Sequence, residues 1–396
     1  MTLTAFVRFI YDPGEPVSVR VREGFRARWA EISPLPVSEG RRITDEIHGR
    51  EDCLGFAGYF STAETQMEAA KAGCPLINYS NRHGLFPSGR NIIVNEEEIG
   101  RLAAEHLLLK GYRHFGFVEE ESSAFARDRR EGFARALTGK GYSLSQLTLS
   151  APRMFNPVEY ARELQTRVND WISQLEKPVG ILGANDSAAV QFLGHAKQVS
   201  PESLPLITVI GVDNVLTGSS HPLPNDFLSS IEPNFRGVGV AIAEELAEYI
   251  DGRPLESGSV RRIDGASLIE RASTAGLSSR DPLVMILGRE IHREILRGEA
   301  PRVDELAQRM EVSPRTLLNR FSAATGLSLR DYILRERLLR AASLLCGGQK
   351  TVAETAFACG FSKQGSLSSH FKRLYGCTPR EFKQRCQSET GPSCLR

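Results

Sequence analysis

Near the C-terminal end of this 396-residue sequence, Leu367 and Phe371 form the buried face of an expected helix, leaving Lys363, Gln364, Ser368, Ser369, Lys372 and Arg373 on the outside. Ammonium, guanidinium, amide and hydroxyl groups gathered on one helical face can bond base edges and phosphate oxygens. Such a face fits a DNA major groove. Lys363, Gln364, Ser368 and Ser369 are the expected readers, Lys372 and Arg373 lie nearer phosphate, and the apolar pair seats the helix on its own domain.

The elements that must position these residues can be read around them. Val352, Ala356 and Phe357 make a preceding amphipathic helix, and Gly360 marks a turn. Ser362 offers a hydroxyl to the free N–H groups of the next helix, which is expected to start there. The unit is doubled. Val303, Glu305, Ala307 and Ser313 recur as Val352, Glu354, Ala356 and Ser362 at one offset. Leu317, Phe321, Gly326 and Tyr332 recur as Leu367, Phe371, Gly376 and Phe382 at an offset longer by one residue, so the extra residue falls in the second turn region. The matching face of the first copy presents Arg315, Thr316, Asn319 and Ser322. Between the copies, Leu329–Leu345 is amphipathic and free of Gly and Pro, which predicts one helix holding two helix-turn-helix units toward one face of DNA. A solvated helical bundle would also carry its Lys and Arg outside, but it gives no reason for the doubling.

The stretch from Val284 to Arg385 resembles the DNA-binding domain of the AraC family of bacterial transcription regulators, with its Ala-rich helix, Gly-Phe-Ser, Phe-Lys-Arg, Gly-x-Thr-Pro and closing basic helix. Gly365 and Ser369 depart from the commoner Ser and Arg of that pattern, so the second unit is expected to contribute less specificity.

Charge is divided along the chain in the way this reading needs. The net charge is only +1, yet residues 281–396 hold 19 Lys/Arg against 12 Asp/Glu, which leaves the region before them at −6. A basic part can face phosphates while an acidic remainder stays off them. The seven cysteines include no Cys-x-x-Cys pair, and the N-terminus lacks a basic start followed by a long apolar run. Reduced thiols and a cytoplasmic location, with no membrane partner, are the expectation.

Before residue 270 the pattern changes to apolar strands alternating with amphipathic helices, as a helix-covered parallel sheet requires. Strands are expected at 5–11, 54–60, 75–79, 92–95, 114–120 and in VGILGAND and LITVIGVDN, and helices at 19–29, 62–72, 97–112, 127–142 and through His195. Each strand runs into a polar tip, where open α/β sheets place their ligands. Asn185 and Asp186 end one strand and Asp213 another.

EEEIGRLAAEHLLLKGYRHFGFV, ARDRREGF, GILGANDSAAV, VIGVDN and FLSSIEPNFRGVGVAIAEEL, in that order, resemble the sensor domain of the LacI/GalR regulators. The two resemblances together imply a two-lobed α/β periplasmic-binding-protein-like sensor over 1–270, with RRIDGASLIERAST as its final strand. A linker follows over 271–283, then an all-α domain with two helix-turn-helix units over 284–386 and a frayed tail over 387–396. They also imply a homodimer on a double-stranded operator, a transcription activator meeting RNA polymerase, and a small-sugar effector, D-xylose or a related monosaccharide. A non-sugar metabolite as effector, or a sensor serving only protein–protein contact, are the alternatives.

Arg129 stands at the family's ligand-contacting Arg, and its fork of donors suits two adjacent hydroxyls. Asn185, Asp213 and Asp186 add acceptors, Phe125 stands where related sensors carry a stacking aromatic, and Asn95 replaces the family's usual Asp. Structural roles compete with each of these. The Asp residues can cap helices, Arg129 can pair with Asp128 or Glu131, and Phe125 can pack in the core. The eight His and seven Cys show no metal-ligand spacing, and neither a Gly-x-Ser-x-Gly elbow nor a Gly-Lys-Ser/Thr loop occurs. No catalytic residue, metal or cofactor is expected.

Overall fold

The computed structural model describes residues 5–40, 52–60, 64–65, 67, 71, 74–150, 157–215, 227–346 and 350–388. Most of the helix expected at 62–72, and the tail from 389, lie outside these residues.

Two six-stranded sheets form the two lobes of residues 5–269. The first contains β1 (Phe6–Ile10), β2 (Val37–Gly40), β3 (Cys53–Gly58), β4 (Leu76–Asn78), β5 (Arg90–Val94) and β11 (Val260–Ile263) in the order β11-β5-β4-β3-β1-β2. The second contains β6 (His114–Glu119), β7 (Ser145–Thr148), β8 (Val179–Gly183), β9 (Ile207–Val212), β10 (Ser229–Glu232) and β12 (Ser267–Ile269) in the order β12-β10-β9-β8-β6-β7. All pairings are parallel except β10 with β12. The helices are α1 (Pro16–Ile32), α2 (Glu96–Leu109), α3 (Ala124–Thr138), α4 (Pro157–Gln174), α5 (Asp186–Val199) and α6 (Phe235–Ile250). The chain crosses between sheets three times: from β5 to β6, from β10 to β11, and from β11 to β12. The last crossing corrects an expectation. RRIDGASLIERAST is two short strands, one in each sheet, because Gly265 at φ +101° turns the chain between them. The pattern also passes over β2, β7 and α4, and over β10 and α6, whose stretch is read only by resemblance. β2 and β7 are edge strands of four residues whose largely polar sequences carry little apolar signal.

Polar strand tips become helix starts. The Asn95 side chain accepts from the Glu98 N–H to cap α2, Ser123 does the same for Ala126 in α3, and Asn185 for Ala188 in α5. Where α2 crosses α3, a Cβ on Gly100 would meet the Arg129 carbonyl at 2.0 Å and one on Gly132 the Glu97 carbonyl at 2.2 Å. Only paired glycines allow that approach, and it brings the start of α3 against the start of α2.

The C-terminal domain is helical: α7 (Pro282–Leu296), α8 (Val303–Arg309), α9 (Pro314–Thr325), α10 (Leu329–Cys346), α11 (Val352–Ala358), α12 (Gln364–Tyr375) and α13 (Pro379–Ser388). Leu317 and Phe321 are buried in the first unit, Leu367 and Phe371 in the second, and both second helices end on a left-handed glycine, Gly326 and Gly376. The copies differ at the helix start. Ser313 accepts from the Thr316 N–H and caps α9, whereas α12 begins after Lys363, with no side-chain cap. The inserted residue moves Ser362 out of the capping position, so the expected start at Ser362 is corrected by one residue. In the turns between helices, Glu311 and Gly360 share a left-handed backbone, and a Cβ on Gly360 would meet the Glu299 carbonyl at 2.7 Å.

The segment that joins the domains is packed. Ala272, Ser273, Thr274 and Ala275 are buried, and the Ser273 hydroxyl accepts from the Ser229 N–H and donates to the Val209 carbonyl. Beyond it Met285 of α7 enters the sensor core, and Arg289 donates to the Ile207 carbonyl at 2.7 Å. Tyr112 and Thr208 share a hydroxyl hydrogen bond of 2.5 Å close to Met285, and the Ser278 N–H donates to the Lys110 carbonyl.

Candidate functional site

Between the two lobes, at the C-terminal ends of their strands, lies a cavity of about 300 Å³, within the size range of small-molecule sites. Its lining includes Arg129, Phe125, Asn185, Asp186 and Asp213. Asn95 is not there: it caps α2, and its amide donates to the Asp264 carboxylate at 2.7 Å on the surface. That expectation is corrected by a single residue, because the side chain that enters the cavity is Glu96.

Arg129 is 3 % exposed and fully engaged on one side. Its Nε donates to Glu96 at 2.6 Å, one Nη to the Ala184 carbonyl at 2.5 Å and the other to Asp213 at 3.1 Å. Burial opposes its charge, but the Asp213 and Glu96 carboxylates outweigh burial and hold its pKa above the usual value. Neither Asp128 nor Glu131 is its partner. Phe125 places its ring 4.9 Å from the guanidinium carbon, a cation–π distance.

Asp213 has φ +90° and Asn214 +48°, an unusual backbone for residues with side chains. Arg20 of α1 donates to both of their carbonyls, at 2.7 and 2.8 Å, and so clamps this bend from the other lobe. Asp186 is 1 % exposed and accepts from the Ser230 hydroxyl and the Val215 N–H. Burial nevertheless pushes its carboxyl up to about 6. Glu96 is pushed up to about 7, chiefly by burial, because one guanidinium serves both its carboxylate and that of Asp213.

The expectations missed Glu15, Tyr59, Asn81, Arg82, Glu96, Glu120 and Ser187, which also line the cavity. Most of these stand just past the ends of β1, β3, β4 and β5, so the rule that located Asn185 and Asp213 would have found them if applied to the first lobe.

In the helical domain Arg315, Thr316, Asn319 and Ser322 are exposed along α9. Lys363, Gln364, Ser369, Lys372 and Arg373 are exposed in the second unit, while Ser368 is half-buried. The Ser369 hydroxyl donates back to the Gly365 carbonyl, and the Thr316 hydroxyl is hydrogen-bonded to that of Ser313, so neither is free of its own helix. Arg320, also on α9, forms a two-point ion pair with Asp281, the N-cap of α7.

These two parts define a class: a transcription regulator in which a periplasmic-binding-protein-like sensor is fused to a DNA-binding domain of the AraC type with two helix-turn-helix units. Residues 104–274 match the family model for a periplasmic binding protein-like domain, and residues 306–385 that for a helix-turn-helix domain. Most of the chain is similar to the xylose operon regulatory protein of Escherichia coli (strain K12), 25% identical over 340 residues that cover 83% of each chain. Over 87 residues the chain is similar to the transcriptional activator RhaS of Escherichia fergusonii, 37% identical across 22% of this chain and 31% of that one. The fold is that of the solved xylose-binding transcription activator xylR, with a TM-score of 0.63, 22% identity and coverage of 96% and 97%.

Proposed function

We propose that the regulator responds to a neutral, polyhydroxylated ligand, a monosaccharide with D-xylose first in line, held in the cavity by Arg129, Asn185, Asp213 and Glu96. The observation that carries this reading is the charge of the lining. Among the described residues, the lining sets Glu15, Glu96, Glu120, Asp186 and Asp213 against Arg82 and Arg129. Carboxylates accept from hydroxyls in pairs, whereas a phosphate or carboxylate on the ligand would meet net repulsion. The xylose named for the relatives agrees with this chemistry. Asp186 acts mainly by shaping the site, and Phe125 covers the guanidinium.

The ligand reaches the DNA-binding domain through two rigid elements. α2 carries Glu96 at its first residue and runs fourteen residues, about 20 Å, to end beside Lys110, whose carbonyl accepts from the Ser278 N–H at the domain joint. β9 runs from Thr208, bonded to Tyr112 at that joint, to its end beside Asp213. Closing the lobes on a sugar shifts both elements against α7, and shifts the equilibrium only as far as the sugar binds the two arrangements differently. The protein acts as a cytoplasmic homodimer without a catalytic step or cofactor, reading an operator with α9 and α12 and activating RNA polymerase.

Calorimetric titration with D-xylose, L-arabinose, D-ribose and D-glucose, with Asp213→Ala as control, tests the ligand. Saturable binding of one sugar, lost in the variant, is the expected result. Absence of heat with all four would remove the sugar reading and leave the DNA-binding domain untouched.

A further inference from the structure

At the joint between the domains, three side chains distant in sequence converge. Glu270 follows β12 of the sensor, His292 lies on α7 and Glu336 on α10, and each offers one ligand atom within 4.8 Å of the other two. Their side chains are 31%, 12% and 8% exposed. The His292 Nδ1 is 3.8 Å from the nearest Glu336 oxygen, too far for a hydrogen bond, and its Nε2 is buried with no partner.

A second observation points into the same space. Tyr332, one turn before Glu336 on α10, is 2% exposed, and its hydroxyl has no hydrogen-bond partner. On the sensor side the His106 Nε2 is likewise buried and unpartnered. Buried polar atoms are almost always satisfied, so the unpartnered His292 Nε2 of this cluster, with the unpartnered Tyr332 hydroxyl one helical turn from Glu336, calls for a further group here.

The donor set says what. Imidazole nitrogen and carboxylate oxygen are the ligands of zinc-class dications. Lys110, 2.5 Å from Glu270 Oε1, is one positive charge against two carboxylates, and it leaves the second Glu270 oxygen available. We infer that Glu270, His292 and Glu336 form a binding site for a divalent transition metal, zinc fitting best, that ties the sensor to the DNA-binding domain. The metal would fix the position of α7 and α10 against the end of β12.

The full-length protein, stripped with a chelator, is titrated with Co²⁺ and read by its visible d–d absorption, then back-titrated with Zn²⁺. One equivalent of Co²⁺ giving that absorption, displaced by Zn²⁺, is expected. His292→Ala and Glu336→Gln each abolish it, and Glu270→Gln, on the other domain, weakens it by more than about tenfold. His83→Ala, an exposed histidine elsewhere, leaves it unchanged. Far-ultraviolet circular dichroism is followed in every variant, and the two Gln variants keep side-chain shape if His292→Ala does not fold. No Co²⁺ absorption in the parent protein, or binding that survives in folded Glu336→Gln and Glu270→Gln, overturns the site.

Discussion

Arg129 and Glu96, thirty-three residues apart, meet at 2.6 Å with both side chains buried, across a helix crossing that two glycines make possible. Removing one partner of such a pair leaves an uncompensated buried charge, at a cost of about 3–5 kcal/mol. Arg129→Ala strands both Glu96 and Asp213. It is expected to lower stability by that amount in urea titration and to abolish ligand binding. A stable Arg129→Ala protein would mean that the two carboxylates are compensated elsewhere.

The acids of the cavity predict an unusual pH response. Glu96 and Asp186 have folded pKa values of about 7 and 6, raised above ordinary values of 4.5 and 3.8. The native state therefore binds their protons more tightly than the unfolded chain. The stability this contributes is complete below the ordinary values and is lost as pH rises through about 6 and then about 7. Urea midpoints measured from about pH 5 to about pH 8 should fall, and the fall should be smaller in Glu96→Gln and Asp186→Asn. The same slope in all three proteins would show that neither carboxyl retains its proton.

The two helix-turn-helix units should respond differently to the same substitution. Ser313→Ala removes the N-cap of α9 and is expected to cost about 1 kcal/mol. Ser362→Ala, at the matching place in the repeat, should change stability by no more than a few tenths, about the spread of ordinary surface substitutions. Equal losses would restore Ser362 as a cap.

On DNA, Arg315 and Lys372 should fail in different ways. Arg315→Ala is expected to reduce the preference for operator over random sequence by about 1–3 kcal/mol, as the loss of a guanine contact does. Lys372→Ala should weaken all sequences alike and lower the salt slope by about 1. Competition binding at several salt concentrations separates them, and unchanged discrimination in Arg315→Ala would remove it from the readers.

The sequence by itself determined what depends on local pattern. Leu317 and Phe321, repeated as Leu367 and Phe371, are helical contacts within one turn, so the doubled unit was readable before any fold was known. Apolar strands ending in Asn185 and Asp213 likewise marked one wall of the cavity, because strand ends are where such sheets bind. Tertiary structure decided whatever depends on which distant segments meet. Asn95 and Glu96 are adjacent in sequence, and only the close crossing at Gly100 and Gly132 turns the second of them onto Arg129 and leaves the first to cap a helix. Ser362 and Ser313 match in the repeat, yet one inserted residue gives them different backbone surroundings. Glu270, His292 and Glu336 follow no spacing rule at all, since they share a neighbourhood only when α7 and α10 dock on the sensor. Periodicity reports which face of an element is buried, and carries no record of what is buried against it.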